Sequence, residues 1–147
     1  MPPAERPDVV VLDASVAVRW IVDEEGSTEA VALLELDISW VAPRLMLTEV
    51  ASALRRKAVD GAIPATLAAQ ALDTLMQAIA DGVVRLADDE RIVQQALLLA
   101  LSLGHKVPDC LYLAVAEREG AAIATADDRL ARFARQRRIP VLPVPHA

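Results

Sequence analysis

The chain is poor in several residue types, and each scarcity excludes something. One cysteine, Cys110, in 147 residues rules out an internal disulfide and makes a reducing cytoplasm the expected compartment. Aromatics are limited to Trp20, Trp40, Tyr112 and Phe133, so a core has to be built from Ala, Val, Leu and Ile. No run approaches the roughly 18 apolar residues of a membrane span. The longest, Ala96–Leu103, is broken by Ser102 and reads as a buried helix. The opening MPPAERPDVV lacks a basic segment followed by an apolar stretch, so no secretory signal is expected. Only two histidines are present. His105 and His146 read as exposed loop residues, which leaves general acid–base work to carboxylates.

What is abundant is equally directive. Hydrophobic residues make up 54% of the chain, a level that suits a sheet buried on both faces. The length fits a single domain over 1–147, with loose ends at 1–7 and 145–147. The net charge of −6 argues against indiscriminate nucleic-acid binding. Arg129, Arg132, Arg135, Arg137 and Arg138 nevertheless form an acid-free basic stretch. Arg129, Arg132 and Arg135 share one side of a helix, as either a solvated face or a phosphate-tracking strip for RNA.

Apolar periodicity gives an alternating pattern. Strands are expected at Val9–Ala14, Ile38–Ala42, Val83–Ala87, Ala121–Ala124 and Pro140–Val144. Helices are expected at Ser15–Val22, Ser27–Leu36, Pro43–Asp60, Ala65–Asp81, Asp88–Leu103, Asp109–Glu119 and Asp127–Arg137. Gly61, Gly82, Gly104 and Gly120 each follow a helical stretch, where a left-handed cap is wanted. This order implies an α/β fold with a mostly parallel sheet of about five short strands. Residues 42–82 read as a helical hairpin set into that core.

Four acids stand at or near the junctions of these elements: Asp13, Glu49, Asp109 and Asp127. In open α/β sheets, ligands bind beyond the carboxyl ends of the strands. Carboxylates meeting there repel unless a cation neutralises them, and hard divalent ions take such oxygen ligands. Each acid also has a plain structural role open to it. Asp13 and Asp127 can be helix caps, and Glu49 and Asp109 can be dipole-stabilised acids of a first turn. Glu49 shares a helix face with Ser52, Ala53 and Arg56. Asp109 heads an otherwise apolar face with Leu113 and Ala116. Ser15 and Thr125 add hydroxyls beside the first and last acids. Of Asp127 and Asp128, one is expected to cap the following helix and the other to serve a ligand. Cys110 is expected to be a small core residue.

The ordered set LDASV, TEVASAL, PDCLYLAVA and TADDRL resembles the signature of PIN-domain ribonucleases, and within them VapC-type toxins of bacterial toxin–antitoxin pairs. The resemblance covers roughly residues 8–143. It implies a PIN-like three-layer fold and a Mg²⁺- or Mn²⁺-dependent endoribonuclease cutting single-stranded or loop RNA. It also implies a homodimer and a cognate antitoxin, with no membrane association. Its metal-binding acids fall on Asp13, Glu49, Asp109 and Asp127, with Thr125 supporting the last of them and Asp128 adjacent. Cys110 replaces the commonest family residue, Ala. Two readings compete: an aspartyl-phosphate phosphotransfer domain using Asp13, and a non-catalytic interaction module. The first lacks the usual second Asp two residues on, where Ser15 stands.

Overall fold

The computed structural model describes residues 8–145. The loose ends expected at 1–7 and 145–147 lie outside the described residues, apart from Pro145, as does His146. The β-branched run Val9–Leu12 forms β1, whose neighbours Ser39–Ala42 (β2) and Ala122–Thr125 (β4) pair with it on either side. Val84–Leu86 (β3) and Val141–Pro143 (β5) complete the sheet in the order β3-β2-β1-β4-β5. Every pairing is parallel. Pro143 is tolerated because β5 is an edge strand.

Seven helices connect the strands. They are Ala14–Ile21 (α1), Ser27–Ala32 (α2), Leu45–Val59 (α3), Ala65–Ala80 (α4), Glu90–Leu103 (α5), Val107–Glu119 (α6) and Asp128–Gln136 (α7). A short 3₁₀ turn, Leu33–Glu35, extends α2. α1, α3 and α4 pack together, and α5 packs on α6. Right-handed crossovers put α1–α4 on one face of the sheet and α5–α7 on the other. The central strands are covered on both sides: Val10, Val11, Leu12, Val41 and Ile123 are all fully buried. Trp20 meets Trp40 edge-on at 4.9 Å, and its indole N–H donates to the Ala30 carbonyl.

The helical hairpin appears as α3 and α4. Several helix starts differ from the periodic pattern. Pro43 precedes α3 rather than opening it, and its carbonyl accepts from the Met46 N–H. α5 begins at Glu90 because the Asp89 side chain caps it through the Ile92 N–H. α6 begins two residues before Asp109, with Pro108 in its first turn. All four glycines expected at helix ends have positive φ.

Strand order places the topological switch between β1 and β4. From β1 the chain moves one way to β2 and β3, then returns to β4 on the other side. Adjacent helices diverge at such a point and leave a crevice at the carboxyl edge of the sheet.

Candidate metal and nucleic-acid site

A cleft of about 490 Å³ opens at that edge. Asp13, Glu49, Asp109 and Asp127 all line it, so the fold brings together the four acids singled out in the sequence. α1 contributes Ala14, Ser15, Val18 and Arg19, and α3 contributes Ala53, Arg56 and Lys57.

Asp13 immediately follows β1 and is buried. It occupies the N-cap position of α1, yet its side chain makes no capping bond. Instead Oδ2 accepts from Ser15 Oγ at 2.5 Å and from Thr125 Oγ1 at 2.8 Å. A hydroxyl has one proton and two lone pairs. Ser15 therefore gives its proton to Asp13 and accepts the Ala126 N–H, while Thr125 does the same with the Asp127 N–H. Two hydroxyls thus join the end of β1 to the start of α7. Thr125 touches the last acid through its backbone N–H, and it also reaches the first acid directly, which the sequence did not suggest. Burial raises the Asp13 pKa, with the Asp127 charge adding to the effect. The two hydroxyl bonds oppose that rise.

Glu49 sits in the second turn of α3, half-buried at the cleft rather than on the outer surface. Tyr112, fully buried on α6, donates its hydroxyl to Glu49 Oε1 at 2.5 Å. Burial raises the Glu49 pKa. Repulsion from Asp13, Asp109 and Asp127 acts in the same direction, against the Tyr112 bond. The Tyr112 phenol is itself pushed far up, by burial first and then by Asp13 and Glu49. At neutral pH it is therefore a fixed donor.

Asp109 lies in the first turn of α6, with Oδ2 2.8 Å from His105 Nε2. That approach does not satisfy hydrogen-bond geometry. The expectation of an exposed His105 is corrected. Its side chain is only 4% exposed, and its ring stacks on Phe133 of α7 at 4.2 Å. The left-handed cap at Gly104 turns the chain so that the next side chain points inward. Cys110 is fully buried, and burial raises its thiol pKa, which fits a core residue.

Asp127 lines the cleft and also caps α7, its Oδ1 accepting from the N–H groups of Arg129 and Leu130. Asp127 thus both caps the helix and faces the cleft, two positions that were expected to be divided between Asp127 and Asp128, and Asp128 does not line the cleft. Nor do Arg129, Arg132 and Arg135, which lie exposed along α7.

Sequence reasoning missed Tyr112, the buried His105 and the cationic residues Arg19 and Lys57. A signal existed for Tyr112: a tyrosine on an apolar helix face needs a partner for its hydroxyl. Arg56 was grouped with Glu49 on one helix face, and both line the cleft.

The four acids offer oxygen donors only, the set a hard divalent cation takes. Burial first, and their mutual repulsion in addition, raise the pKa values of Asp13 and Glu49, and such a cation relieves that repulsion. Among the described residues no three His, Cys, Asp or Glu side chains stand as a ready-made coordination group. An ion that retains several waters does not need one. The donor set therefore fits such a cation.

A family model for the PIN domain matches residues 10–136. The chain belongs to the PIN domain family. No curated protein matches it by sequence. Solved structures share the PIN fold at low identity. PAE2754 from Pyrobaculum aerophilum aligns with a TM-score of 0.66 at 19% identity, over 84% of this chain and 83% of that one. VapC20 from Mycobacterium tuberculosis, a sarcin–ricin loop cleaving toxin, gives 0.66 at 17% identity, over 84% and 93%. VapBC2 from Rickettsia felis, bound to a DNA fragment from its promoter, gives 0.65 at 13%, over 92% and 98%. Among the described residues of this PIN domain, no single helix is long and apolar enough to cross a membrane.

Proposed function

We propose that this PIN domain is a divalent-metal-dependent endoribonuclease and the toxin of a toxin–antitoxin pair, cutting single-stranded or loop RNA. The observation that carries the reading is the convergence of Asp13, Glu49, Asp109 and Asp127 on one cleft at the β1/β4 switch. The toxin assignment draws support from the folds it resembles, which include VapBC toxin–antitoxin assemblies. A cognate antitoxin, a homodimer and a cytoplasmic setting belong to the same reading.

Asp13 and Asp109 would be the central ligands for Mg²⁺, or Mn²⁺ in its place, with Glu49 and Asp127 contributing directly or through water. The cation supplies a water of lowered pKa and neutralises charge on the phosphoryl oxygens. Ser15 and Thr125 hold the Asp13 carboxylate in one orientation from two directions. Tyr112 fixes one oxygen of Glu49. Asp127 spends Oδ1 on the helix cap. No side-chain nucleophile is required.

The test is cleavage of a labelled single-stranded RNA by purified protein. Activity is expected with Mg²⁺ or Mn²⁺ and is expected to vanish in EDTA. Asp109→Asn is expected to lower the rate at least about 10³-fold, because it removes several kcal/mol of charge stabilisation. Wild-type cleavage by both Asp13→Asn and Asp109→Asn would refute the assignment. A phosphoryl adduct trapped on Asp13 would move the protein to the phosphotransfer class.

A further inference from the structure

The acids occupy one end of the cleft, and the other end is basic. Arg19, Arg56 and Lys57 line that end, with Glu24 and Asp60. α1 and α3 follow neighbouring parallel strands, so both helices lead away from the carboxyl edge in the same sense. Asp13 immediately precedes α1, and Arg19 lies in its last turn. Glu49 lies in the second turn of α3, and Arg56 follows seven residues later on the same face. Those seven residues advance about 10 Å along the helix. Ala53, the lining residue between them, ends at a single carbon. Both walls therefore run from an acid to a base.

The three cations are held differently. Arg19 donates to the carbonyls of Ser15 at 2.6 Å and Glu25 at 2.8 Å, and it lies 3.6 Å from Glu24. Lys57 is ion-paired with Glu24. Gly26 shapes the loop that carries Glu24. Its φ is +87°, and a Cβ there would come within 2.2 Å of the Pro145 carbonyl oxygen. Arg56 is exposed, and its guanidinium has no hydrogen-bond or ion-pair partner among the described residues. Three cations against two anions leave this end at +1. A partnerless guanidinium fork on a cleft wall matches the geometry of a phosphate.

We propose that the basic end of the cleft binds the backbone phosphate neighbouring the scissile one, with Arg56 as the direct contact and Arg19 and Lys57 as its supporting field. The proposal rests on the ribonuclease reading of the acidic end and adds a direction to it. The RNA strand leaves the acids along the α1–α3 groove, and Glu24 tempers the attraction by holding Lys57 and facing Arg19.

The experiment is a salt titration of RNA binding. Fluorescence anisotropy of a labelled single-stranded oligoribonucleotide is followed in Mg²⁺, in an Asp109→Asn background that keeps the strand intact. Wild-type cleavage is measured in parallel. Arg56→Gln is expected to raise Kd about tenfold. It should also reduce the slope of log K against log salt by about 0.7, the share of one phosphate contact on a single strand. Glu24→Gln is expected to tighten binding. Replacing Arg129, Arg132 and Arg135 together by Gln provides the comparison. If that triple change flattens the slope while Arg56→Gln leaves Kd and slope unaltered, the strand follows α7 and the proposal is overturned. A wild-type protein that neither binds nor cleaves RNA overturns the ribonuclease reading itself.

Discussion

The ends of β1 and β4 are adjacent in the sheet and follow the same strand–Asp–helix plan, yet they hold their acids differently. Each strand is short and apolar, and each leads through an Asp into a helix. Asp13 sits in the capping position without capping, drawn aside by the hydroxyls of Ser15 and Thr125. Asp127 caps its helix and remains exposed. The difference is made by Thr125, which crosses from β4 to β1. It lies one residue beyond Ala124, the register partner of Leu12, and so stands opposite Asp13. A strand–Asp–helix pattern thus does not by itself settle whether the acid serves the helix or a ligand. The neighbouring strand decides.

Removing charge from each acid in turn is the strongest way to break this comparison. Asp13→Asn is expected to abolish nearly all cleavage, by about 10³-fold or more, since it removes a central ligand. Asp127→Asn should reduce cleavage less, because that residue divides its carboxylate between the cleft and the cap. Asn caps as well as Asp, so Asp127→Asn should leave stability unchanged, whereas Asp127→Ala should cost about 1 kcal/mol. Rates and melting temperatures of the three variants together check the division of roles. Equal rate losses in the two Asn variants would erase the distinction.

Thr125→Val sharpens the comparison from the other side. Val keeps the shape and strand preference but removes the bridge, leaving the Asp127 N–H without its acceptor. A loss of about 1–3 kcal/mol is expected in denaturant unfolding. An unchanged midpoint would show that the bridge contributes nothing to folding.

The smallest expected effect is on pH dependence. Burial raises the folded-state pKa values of Asp13 and Glu49 above their ordinary values. The folded state then holds protons that the unfolded state has already released, so stability falls as pH rises through that window. In EDTA, wild type should lose melting temperature relative to Asp13→Asn as pH climbs past the ordinary carboxylate range. Mg²⁺ should close the gap by binding the folded form. A difference that is flat with pH would mean that the buried charge is already compensated.

Much of the molecule was legible in advance. Strands of Val, Ile and Ala between helices specified the parallel sheet, because those runs have no polar face to expose. The four acids were legible from their positions at or near element junctions, and the glycines from the helix ends they close. Residues that act across elements were not legible. Tyr112 reaches Glu49 over 63 positions, and Thr125 reaches Asp13 over 112. The basic residues of the cleft were out of reach for the same reason. Charge density marks α7 in the sequence, whereas the cleft is lined by Arg19, Arg56 and Lys57, which come from two other helices.

By itself, the sequence determined the order of elements, the apolar core and the placement of four acids near one edge of a sheet. These follow from local periodicity and from the rule that parallel strands present their carboxyl ends together. Tertiary structure alone decided which hydroxyl holds which carboxylate, that Asp127 caps its helix while Asp13 does not, and where the cations gather. Those outcomes depend on strand register and helix packing, and therefore on distances that no spacing along the chain encodes.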